Sequence, residues 1–429
     1  MNAKTLETPY WWEGAPLQER LAVDLAKRCD VVVVGAGYAG LSAALTLARA
    51  GRDVHVLEKD CPGEGASSRN GGIASGNIRI GFRKMMDTLG RERALAIYGE
   101  SKAAREDLAR FIRDEGIECG YSLVGRFTGA VRPAHYDGLA RESELLRREL
   151  GIEAYVVPRA EQHTEIGTDL YHGGAVRPDI GGLHPGLFHR GLLERAERSG
   201  AVVHGWTPAL GLRRESDGFE IGTSRGKIFA HDVVIATNGY TGRHALPWLA
   251  RRLVPVASQI IATETLDSEV MNRLMPKRRM LGETRHLYHY YRPSPGGTRI
   301  LFGGRRGANT DDPNKKMSHL YRQLITIFPE LDGVSITHCW WGLVAMTYDE
   351  LPKLAVHEGV HYATGFCGSG VVWARWLGRK AALRILGDPQ AETAFDDAPF
   401  RAIPLYDGRP WFVPAAIVWQ GFKDRMGWY

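Results

Sequence analysis

The stretch that decides the fold of this chain is Asp30-Val-Val-Val-Val-Gly-Ala-Gly-Tyr-Ala-Gly40. Its first half is an apolar run of the kind that forms a central parallel strand buried on both faces. Its second half, residues 35–40, fits the pattern G-x-G-x-x-G, and the Ala- and Leu-rich residues 41–50 that follow predict a helix. Residues 53–58 predict a second strand. Together these segments predict a strand–helix–strand unit of about 30 residues.

Each glycine of the motif has a separate task in a dinucleotide site. Gly35 permits a tight turn, Gly37 lets the backbone approach a pyrophosphate, and Gly40 lets the helix and strand pack closely. The helix N-terminus presents free N–H groups to the phosphates. Glu58, at the end of the second strand, is placed to accept hydrogen bonds from a ribose diol. The unit therefore predicts a dinucleotide, and by itself it leaves FAD and NAD open.

Two glycine-rich segments outside this unit favour FAD. Residues 63–72 follow Glu58, and their small and hydroxyl-bearing side chains let a second stretch of backbone close over a long cofactor. Residues 363–370 precede a helix predicted at residues 371–386. The N-terminus of that helix would stabilise the anion of a reduced flavin. An NAD-linked dehydrogenase remains as an alternative, and it would require a colourless protein.

With these segments in view, the sequence resembles the FAD-dependent superfamily of D-amino-acid oxidase, glycine oxidase and sarcosine oxidase. Within it, the resemblance is greatest to amine oxidases of the γ-glutamylputrescine oxidoreductase type. It spans residues 28–390 and is carried by these motifs: Val34-Gly-Ala-Gly-Tyr-Ala-Gly40, Gly65-Ala-Ser-Ser-Arg-Asn-Gly-Gly72, Gly181-Gly-Leu-His-Pro185, Ala236-Thr-Asn-Gly-Tyr240, Leu301-Phe-Gly-Gly-Arg305, Trp341-Gly342, Asp349-Glu-Leu-Pro352 and Gly365-Phe-Cys-Gly-Ser-Gly370.

The resemblance implies an α/β protein in which a Rossmann-like FAD-binding domain is built from discontinuous segments. An antiparallel-sheet substrate domain of α+β type roofs the flavin, and the Tyr-, Thr-, Val- and Ile-rich residues 254–304 independently predict such a sheet. The expected divisions are an N-terminal arm at 1–27, the FAD-binding domain at 28–88, 185–247 and 338–395, the substrate domain at 89–184 and 248–337, and a C-terminal tail at 396–429. Helices are predicted at 91–115, 136–150 and 185–198, and strands at 201–204, 229–237, 287–292 and 361–364.

The resemblance also implies which residues hold FAD, bound without a covalent link. The predicted contacts are Gly35, Gly37, Gly40 and Glu58 for the ADP half, Ala209 for adenine, Ser67, Ser68 and Arg69 for the pyrophosphate or flavin, Asn70, Gly71 and Gly72 beside the isoalloxazine ring, and Gly368, Ser369 and Gly370 at its pyrimidine edge. Ala39, Lys59 and Gly239 complete the predicted set.

The reaction that the resemblance implies removes a hydride equivalent from a carbon bonded to nitrogen. The imine then hydrolyses, and dioxygen reoxidises the flavin to give hydrogen peroxide. The expected substrate is a small primary or secondary amine that bears a carboxylate, either a γ-glutamylated diamine or an N-substituted glycine such as iminodiacetate or sarcosine. The alternatives are a dehydrogenase that passes electrons to a quinone or carrier protein, and a binding protein in which the nucleotide is only structural.

The predicted catalytic site consists of Arg305, Tyr288 and Trp341. In sarcosine oxidases a lysine after the C-terminal glycine loop binds the substrate carboxylate, but Val372 occupies the corresponding position here. Another cation must therefore bind a carboxylate, and Arg305 on a predicted roof strand is able to pair with one through two hydrogen bonds. The alternative cations are Arg285 and Arg292, and further candidate pocket walls are Tyr290, Trp340 and Trp373.

Composition excludes several other classes of protein. The chain has 429 residues, and its five cysteines show no Cys-x-x-Cys spacing, so a disulfide scaffold or a metal site is not expected. The net charge of +6 is spread among acidic residues, so neither a nucleic-acid partner nor a membrane span is predicted. The first residues lack a basic segment followed by an apolar run, and the expected location is the cytoplasm. The oligomeric state is left open.

Overall fold

The computed structural model describes residues 5–20, 23–305 and 313–428, so residues 1–4, 21 and 22 of the predicted arm and residue 429 of the predicted tail lie outside it. The described strands are β1 Arg28–Val34, β2 Val54–Leu57, β3 Ile73–Ala74, β4 Arg126–Gly129, β5 Tyr155–Val157, β6 Gly174–Arg177, β7 Gly181–Gly182, β8 Val202–His204, β9 Ala209–Glu215, β10 Gly218–Thr223, β11 Gly226–Ile235, β12 Val254–Thr263, β13 Met280–Glu283, β14 Tyr290–Pro293, β15 Ile300–Arg305, β16 Ile336–Met346, β17 Lys353–His357 and β18 Val360–Thr364. The described α-helices are α1 Trp11–Gly14, α2 Tyr38–Arg49, α3 Ala66–Arg69, α4 Phe82–Leu89, α5 Arg91–Asp114, α6 Pro133–Leu150, α7 Pro185–Arg198, α8 Pro247–Ala250, α9 Ser268–Leu274, α10 Pro313–Ile327, α11 Gly370–Ile385 and α12 Val413–Met426.

The first sheet has the strand order β17-β18-β11-β1-β2-β8, and β10 and β9 form an antiparallel extension of β11. Strands β18, β11, β1, β2 and β8 run parallel, as the sequence predicts. Val31 and Val33 enter the core that α2, α7 and α11 share, while Val32 and Val34 enter the core on the opposite face. Burial on both faces explains why β1 is a continuous apolar run.

The second sheet has the strand order β16-β12-β15-β14-β13-β4-β6-β5. Its neighbouring strands are antiparallel except β13 and β4, which are parallel. A separate apolar core lies against this sheet and includes side chains of α9 and α10. The predicted α/β architecture with a parallel and an antiparallel sheet is therefore confirmed.

Two of the expected divisions differ from the structure. Strand β16 pairs with β12 from Met346 opposite Val254 to Ile336 opposite Thr263, so residues 338–346 belong to the second sheet and the expected division at 338 falls inside a strand. Helix α5, expected in the substrate domain, buries its apolar face in the core of the first sheet together with α11. The amphipathic pattern of α5 predicts a buried face, but not the sheet that covers it.

Two local predictions also need correction. Residues 287–292 are predicted as a strand, but β14 begins only at Tyr290. The buried carboxylate of Glu283 accepts a hydrogen bond from the backbone N–H of His289 at 3.1 Å and lies 2.7 Å from its Nδ1, which holds the preceding residues in a loop. The predicted tail contains the helix α12, which has no buried residue.

Three indole groups hold the glycine-rich residues 65–72, two from the N-terminal arm and one from the second sheet. Trp11 donates a hydrogen bond to the carbonyl of Asn70, Trp12 donates to Oγ of Ser68, and Trp340 of β16 donates to the carbonyl of Arg69, each at 2.8 Å. We call Trp11, Trp12 and Trp340 the tryptophan clamp. Because each indole satisfies a polar atom of the loop, the clamp fixes the loop between the arm and the second sheet.

The five cysteines all lie within the described ranges, and no disulfide links any two of them. Within the described ranges, no helix combines the length and the apolar character needed to cross a bilayer.

The adjacent residues Trp340 and Trp341 allow a matched test of the clamp. Trp340 is 1% exposed and Trp341 is 47% exposed. We expect Trp340→Ala to lower the free energy of unfolding by about 3–5 kcal/mol, because a buried indole and its hydrogen bond are both lost. Trp341→Ala should change it by about 1 kcal/mol or less. Urea denaturation followed by circular dichroism measures both, and equal losses would contradict the clamp.

Candidate active site

A cavity of about 750 Å³ lies between the two sheets, at the carboxyl ends of β1 and β2. Cofactor and small-molecule sites typically occupy about 300–1,000 Å³, and in open parallel sheets they lie at this edge. The predicted residues that the structure brings together around it are Gly35, Gly37, Ala39, Glu58, Lys59, Ser67, Arg69, Asn70, Gly71, Ala209, Tyr288, Arg305, Gly368, Ser369 and Gly370.

Four predicted cofactor residues do not line the cavity: Gly40, Ser68, Gly72 and Gly239. A Cβ at Gly40 would collide with the carbonyl of Gly35, so Gly40 allows α2 to pack on β1, which is its predicted task. A Cβ at Gly72 would also collide with backbone. Ser68 is buried within the glycine-rich loop. These residues support the cavity wall from behind.

Trp341 is the predicted catalytic residue that the structure places elsewhere. Its side chain is about half exposed and does not line the cavity, although the next residue along β16, Gly342, does. Successive side chains of a strand point to opposite faces, so the burial of Trp340 directs Trp341 to solvent. We therefore assign no role in binding or chemistry to Trp341.

Glu58 lies at the end of the cavity that the first strand–helix–strand unit forms, and backbone N–H groups hold its carboxylate in place. Its Oε2 accepts a hydrogen bond from the N–H of Ala36 at 2.8 Å, and its Oε1 accepts one from the N–H of Asp60 at 3.3 Å. Burial raises the pKa of Glu58, although these two donors oppose the shift. The carboxylate thus fixes the glycine turn and still lines the cavity, where it can accept a hydrogen bond from a hydroxyl.

The glycine-rich loop is shaped by its own polar side chains. Oγ of Ser67 accepts a hydrogen bond from the N–H of Tyr38, the first residue of α2, at 2.9 Å. The amide of Asn70 donates to the carbonyl of Ala66 and accepts from the N–H of Gly72. The backbone of this loop therefore lies over the N-terminus of α2. Small residues in the loop are needed to leave room for a ligand between the loop and the helix.

The C-terminal glycine loop reaches the same cavity from the other side. Cys367 and Gly368 both have positive φ, at 50° and 101°, which turns the chain sharply before α11. The loop is held by Asn238, whose Oδ1 accepts a hydrogen bond from the N–H of Gly365 at 2.9 Å. Sequence reasoning singled out Gly239 and missed Asn238, although the motif Ala236-Thr-Asn-Gly-Tyr240 contains both.

The far end of the cavity carries a cluster of arginines around one tyrosine. The guanidinium carbon of Arg305 lies 5.7 Å from the ring centre of Tyr288, and both side chains approach the C-terminal loop at Gly368. Burial opposes ionisation of Tyr288, but Arg305, Arg79 and Arg126 outweigh it and lower the pKa of its hydroxyl. Arg79 and Arg126 line the same end and were missed, since neither lies in a recognisable motif.

The two alternative arginines are engaged in other contacts. Both oxygens of the Glu283 carboxylate lie 2.9 Å from Nη1 of Arg285, so that arginine lines the cavity as part of an ion pair. Arg292 donates hydrogen bonds to the carbonyls of Gly72 at 2.9 Å and Leu183 at 2.8 Å, and it does not line the cavity. Arg292 therefore braces the glycine-rich loop, and Arg305 is the better placed of the predicted cations.

The cavity fits a long anionic dinucleotide. The N-termini of α2 and α11 both open into it. Neither N-cap residue, Gly37 or Ser369, caps its helix through a side chain, so the first N–H groups other than that of Tyr38, which donates to Ser67, can face anionic groups. Glu58 lies near one terminus and the arginine cluster near the other. Within the described residues, no three His, Cys, Asp or Glu side chains form a group able to hold a metal ion.

Comparison with known proteins agrees with this geometry. Residues 30–384 match the family described as FAD dependent oxidoreductase (DAO). The chain is 30% identical over 430 residues to a probable oxidoreductase OrdL of Rhizobium meliloti (strain 1021), covering 97% of this chain and 98% of that protein. It is 29% identical to γ-glutamylputrescine oxidoreductase of Escherichia coli (strain K12), with 93% of each chain covered. The crystal structure of glycine oxidase from Geobacillus kaustophilus superposes with a TM-score of 0.74 at 23% identity, covering 88% of this chain and 99% of that one.

Removal of the Glu58 carboxylate tests the cofactor end of the site. We expect Glu58→Ala to weaken FAD binding by about 10- to 150-fold, because a hydrogen bond to a charged group contributes about 1.5–3 kcal/mol. Fluorescence titration of the apoprotein with FAD measures the dissociation constant. Asp53→Asn, which alters an exposed carboxylate just before β2, is the matched control and should bind FAD normally. Wild-type affinity in Glu58→Ala would contradict the assignment.

Proposed function

Because the chain belongs to the FAD-dependent oxidoreductase (DAO) family, we propose that it oxidises the C–N bond of a small amine that carries a carboxylate. The observation that carries this proposal is the arginine cluster at the far end of the cavity, where Arg305 and Tyr288 face the C-terminal loop at Gly368. A guanidinium group can hold a carboxylate through two parallel hydrogen bonds. That contact would fix the carbon to be oxidised at a defined position along the cavity.

The chain's own residues bind and orient both molecules. FAD, when bound, supplies the acceptor for the hydride. Glu58 and the two helix N-termini would hold its ADP half and its pyrimidine edge. Arg305 would hold the substrate carboxylate, and the rings of Tyr288 and Tyr290 would exclude water beside it. The amine must be neutral when it reacts, since a protonated nitrogen has no lone pair to assist departure of the hydride.

We propose two substrate classes, both implied by the family resemblance and compatible with this arrangement: a γ-glutamylated diamine, and an N-substituted glycine such as iminodiacetate or sarcosine. The E. coli relative is named for γ-glutamylputrescine, which supports the first class. In both, a carboxylate is present in the same molecule as the amine. The cation cluster is therefore an argument for a carboxylate in the substrate. Activity measurements with members of both classes decide between them.

We propose dioxygen as the final electron acceptor. The amine, dioxygen and water would give a carbonyl compound, a released amine or ammonia, and hydrogen peroxide. Cys367 lines the cavity, but its thiol contacts the carbonyl of Gly365 at 3.1 Å, and burial raises its pKa. A thiol held in the neutral form is a poor nucleophile, which favours non-covalent FAD.

A panel of amines tests the proposed reaction. We expect one hydrogen peroxide per carbonyl product with carboxylated amines, and little turnover with their amides, because the amides lack the charge that Arg305 would bind. A coupled peroxidase assay and product quantification measure both quantities. Turnover with a quinone or dye but without oxygen consumption would identify the dehydrogenase alternative. Absence of turnover with every amine would contradict the proposal.

Substitution of Arg305 tests the carboxylate contact. We expect Arg305→Met to raise the KM of carboxylated amines by about 10- to 100-fold, the size of a lost charge-assisted pair, and to change that of uncharged amines much less. Arg305→Lys retains the positive charge but lacks the planar guanidinium with its parallel donors. Its KM for carboxylated amines should therefore lie between the values for the wild type and Arg305→Met. Steady-state kinetics at fixed FAD saturation provides the comparison. Equal effects on charged and uncharged amines would exclude this role of Arg305.

A further inference from the structure

Arg126 lines the cavity and has no anionic partner in the described part of the chain. It is the first residue of β4, in the second sheet. The cavity-lining carboxylate of Glu283 is paired with Arg285, and Nε of Arg126 is buried without a hydrogen-bond partner. A buried charge without a partner is costly, and buried charges in proteins are normally paired.

The other buried arginines show what pairing looks like in this molecule. Arg105 forms an ion pair with Asp179, and Arg375 forms one with Asp107. Near the cavity, Arg285 is paired with Glu283. Arg292 is also buried and has no carboxylate partner, but it donates hydrogen bonds to backbone carbonyls, whereas Nε of Arg126 lies at the binding cavity without a hydrogen-bond partner.

The sheet also makes room for this guanidinium. Gly282 of the neighbouring strand β13 lies beneath it, and a Cβ at that position would collide with Nη2 of Arg126. The strands that carry Arg126 and Arg305 are separated by β13 and β14, so three strand spacings, about 14 Å, lie between the two strands. Both side chains nevertheless line the same cavity, together with Tyr288.

We propose that Arg126 binds a second anionic group of the substrate, so that the cavity selects amines that carry two carboxylates. This inference rests on the proposed function, in which Arg305 binds the first carboxylate. A dicarboxylic amine would place one acid at each arginine and its nitrogen-bearing carbon between them. The incoming carboxylate would supply the partner that Arg126 lacks within the described residues.

Binding of simple acids to the FAD-loaded protein tests this subsite without turnover. The probes are butyrate, with one carboxylate, and succinate, glutarate and adipate, with two, and calorimetry or the shift of the flavin spectrum gives each dissociation constant. We expect the best dicarboxylate to bind about 10- to 100-fold more tightly than butyrate, as for an added charge-assisted pair. Arg126→Met should remove that preference and leave butyrate binding within about twofold. No preference in the wild type would overturn the proposal.

Further variants distinguish a specific loss of the second subsite from a general loss of structure. Arg126→Lys should restore part of the preference, and Gly282→Ala should reduce it while keeping the charge, because the new Cβ displaces the guanidinium. Arg305→Met should weaken both kinds of acid. FAD content and thermal midpoint are measured for each variant. An equal loss for butyrate and dicarboxylates in correctly folded Arg126→Met or Gly282→Ala would overturn the proposal.

The outcomes also separate this inference from the proposed function. If monocarboxylated amines yield peroxide and Arg126→Met does not affect dicarboxylate binding, the oxidase stands and the second subsite fails. If no amine is oxidised but the dicarboxylate preference depends on Arg126, the subsite stands and the proposed reaction fails.

Discussion

The structure depends on two places where helices approach backbone so closely that no side chain fits between them. At Gly40 a Cβ would collide with the carbonyl of Gly35, which brings α2 onto β1. At Gly378 a Cβ would collide with the carbonyl of Ala39, which brings α11 onto α2. Through these contacts the N-termini of two helices that are more than 300 residues apart in the chain open into one cavity. Glycine is therefore needed there for close approach, whatever its cost in conformational entropy.

Charged side chains of both signs line the cavity, including Lys59 beside Glu58 and Glu283 beside Arg285. Glu58 provides a negative group at one end, while Arg79, Arg126 and Arg305 gather at the other. Interactions between charges are stronger in a cavity that excludes water than at a surface. A molecule with a ribose diol at one end and a flavin at the other would match this arrangement, and the arginine cluster would remain for an acidic substrate. The arrangement thus separates the task of holding FAD from the task of choosing an amine.

The sequence predicts the parallel sheet and FAD as the cofactor, because the glycine motif constrains the backbone directly. Helix α7 lies at the predicted residues 185–198, and the FAD assignment agrees with the family match. The boundary at residue 338 could not be located from sequence, because strands of both sheets are apolar and pairing between β12 and β16 is a long-range choice.

The sequence did not predict the direction in which the side chains of the site point. Trp340 and Trp341 have the same side chain, and only the register of β16 decides that the first is buried against the glycine-rich loop. Arg126 likewise carries no motif, since its significance lies in the partner that the described chain does not provide. Such a property belongs to the folded arrangement of charges rather than to any local pattern.

The residues proposed to bind the amine stand on a different part of the fold from the glycine-rich loops proposed to bind FAD. Arg126 and Arg305 stand on strands of the second sheet, and Tyr288 lies in the loop before β14. That loop is held from outside, because the carboxylate of Asp424 in α12 accepts hydrogen bonds from the backbone N–H groups of His286 at 2.8 Å and Leu287 at 3.0 Å. The C-terminal helix, which has no fully buried residue, therefore stabilises the conformation that presents Tyr288 to the cavity. A change of substrate requires new side chains on these strands and this loop, whereas a change of cofactor would require new backbone.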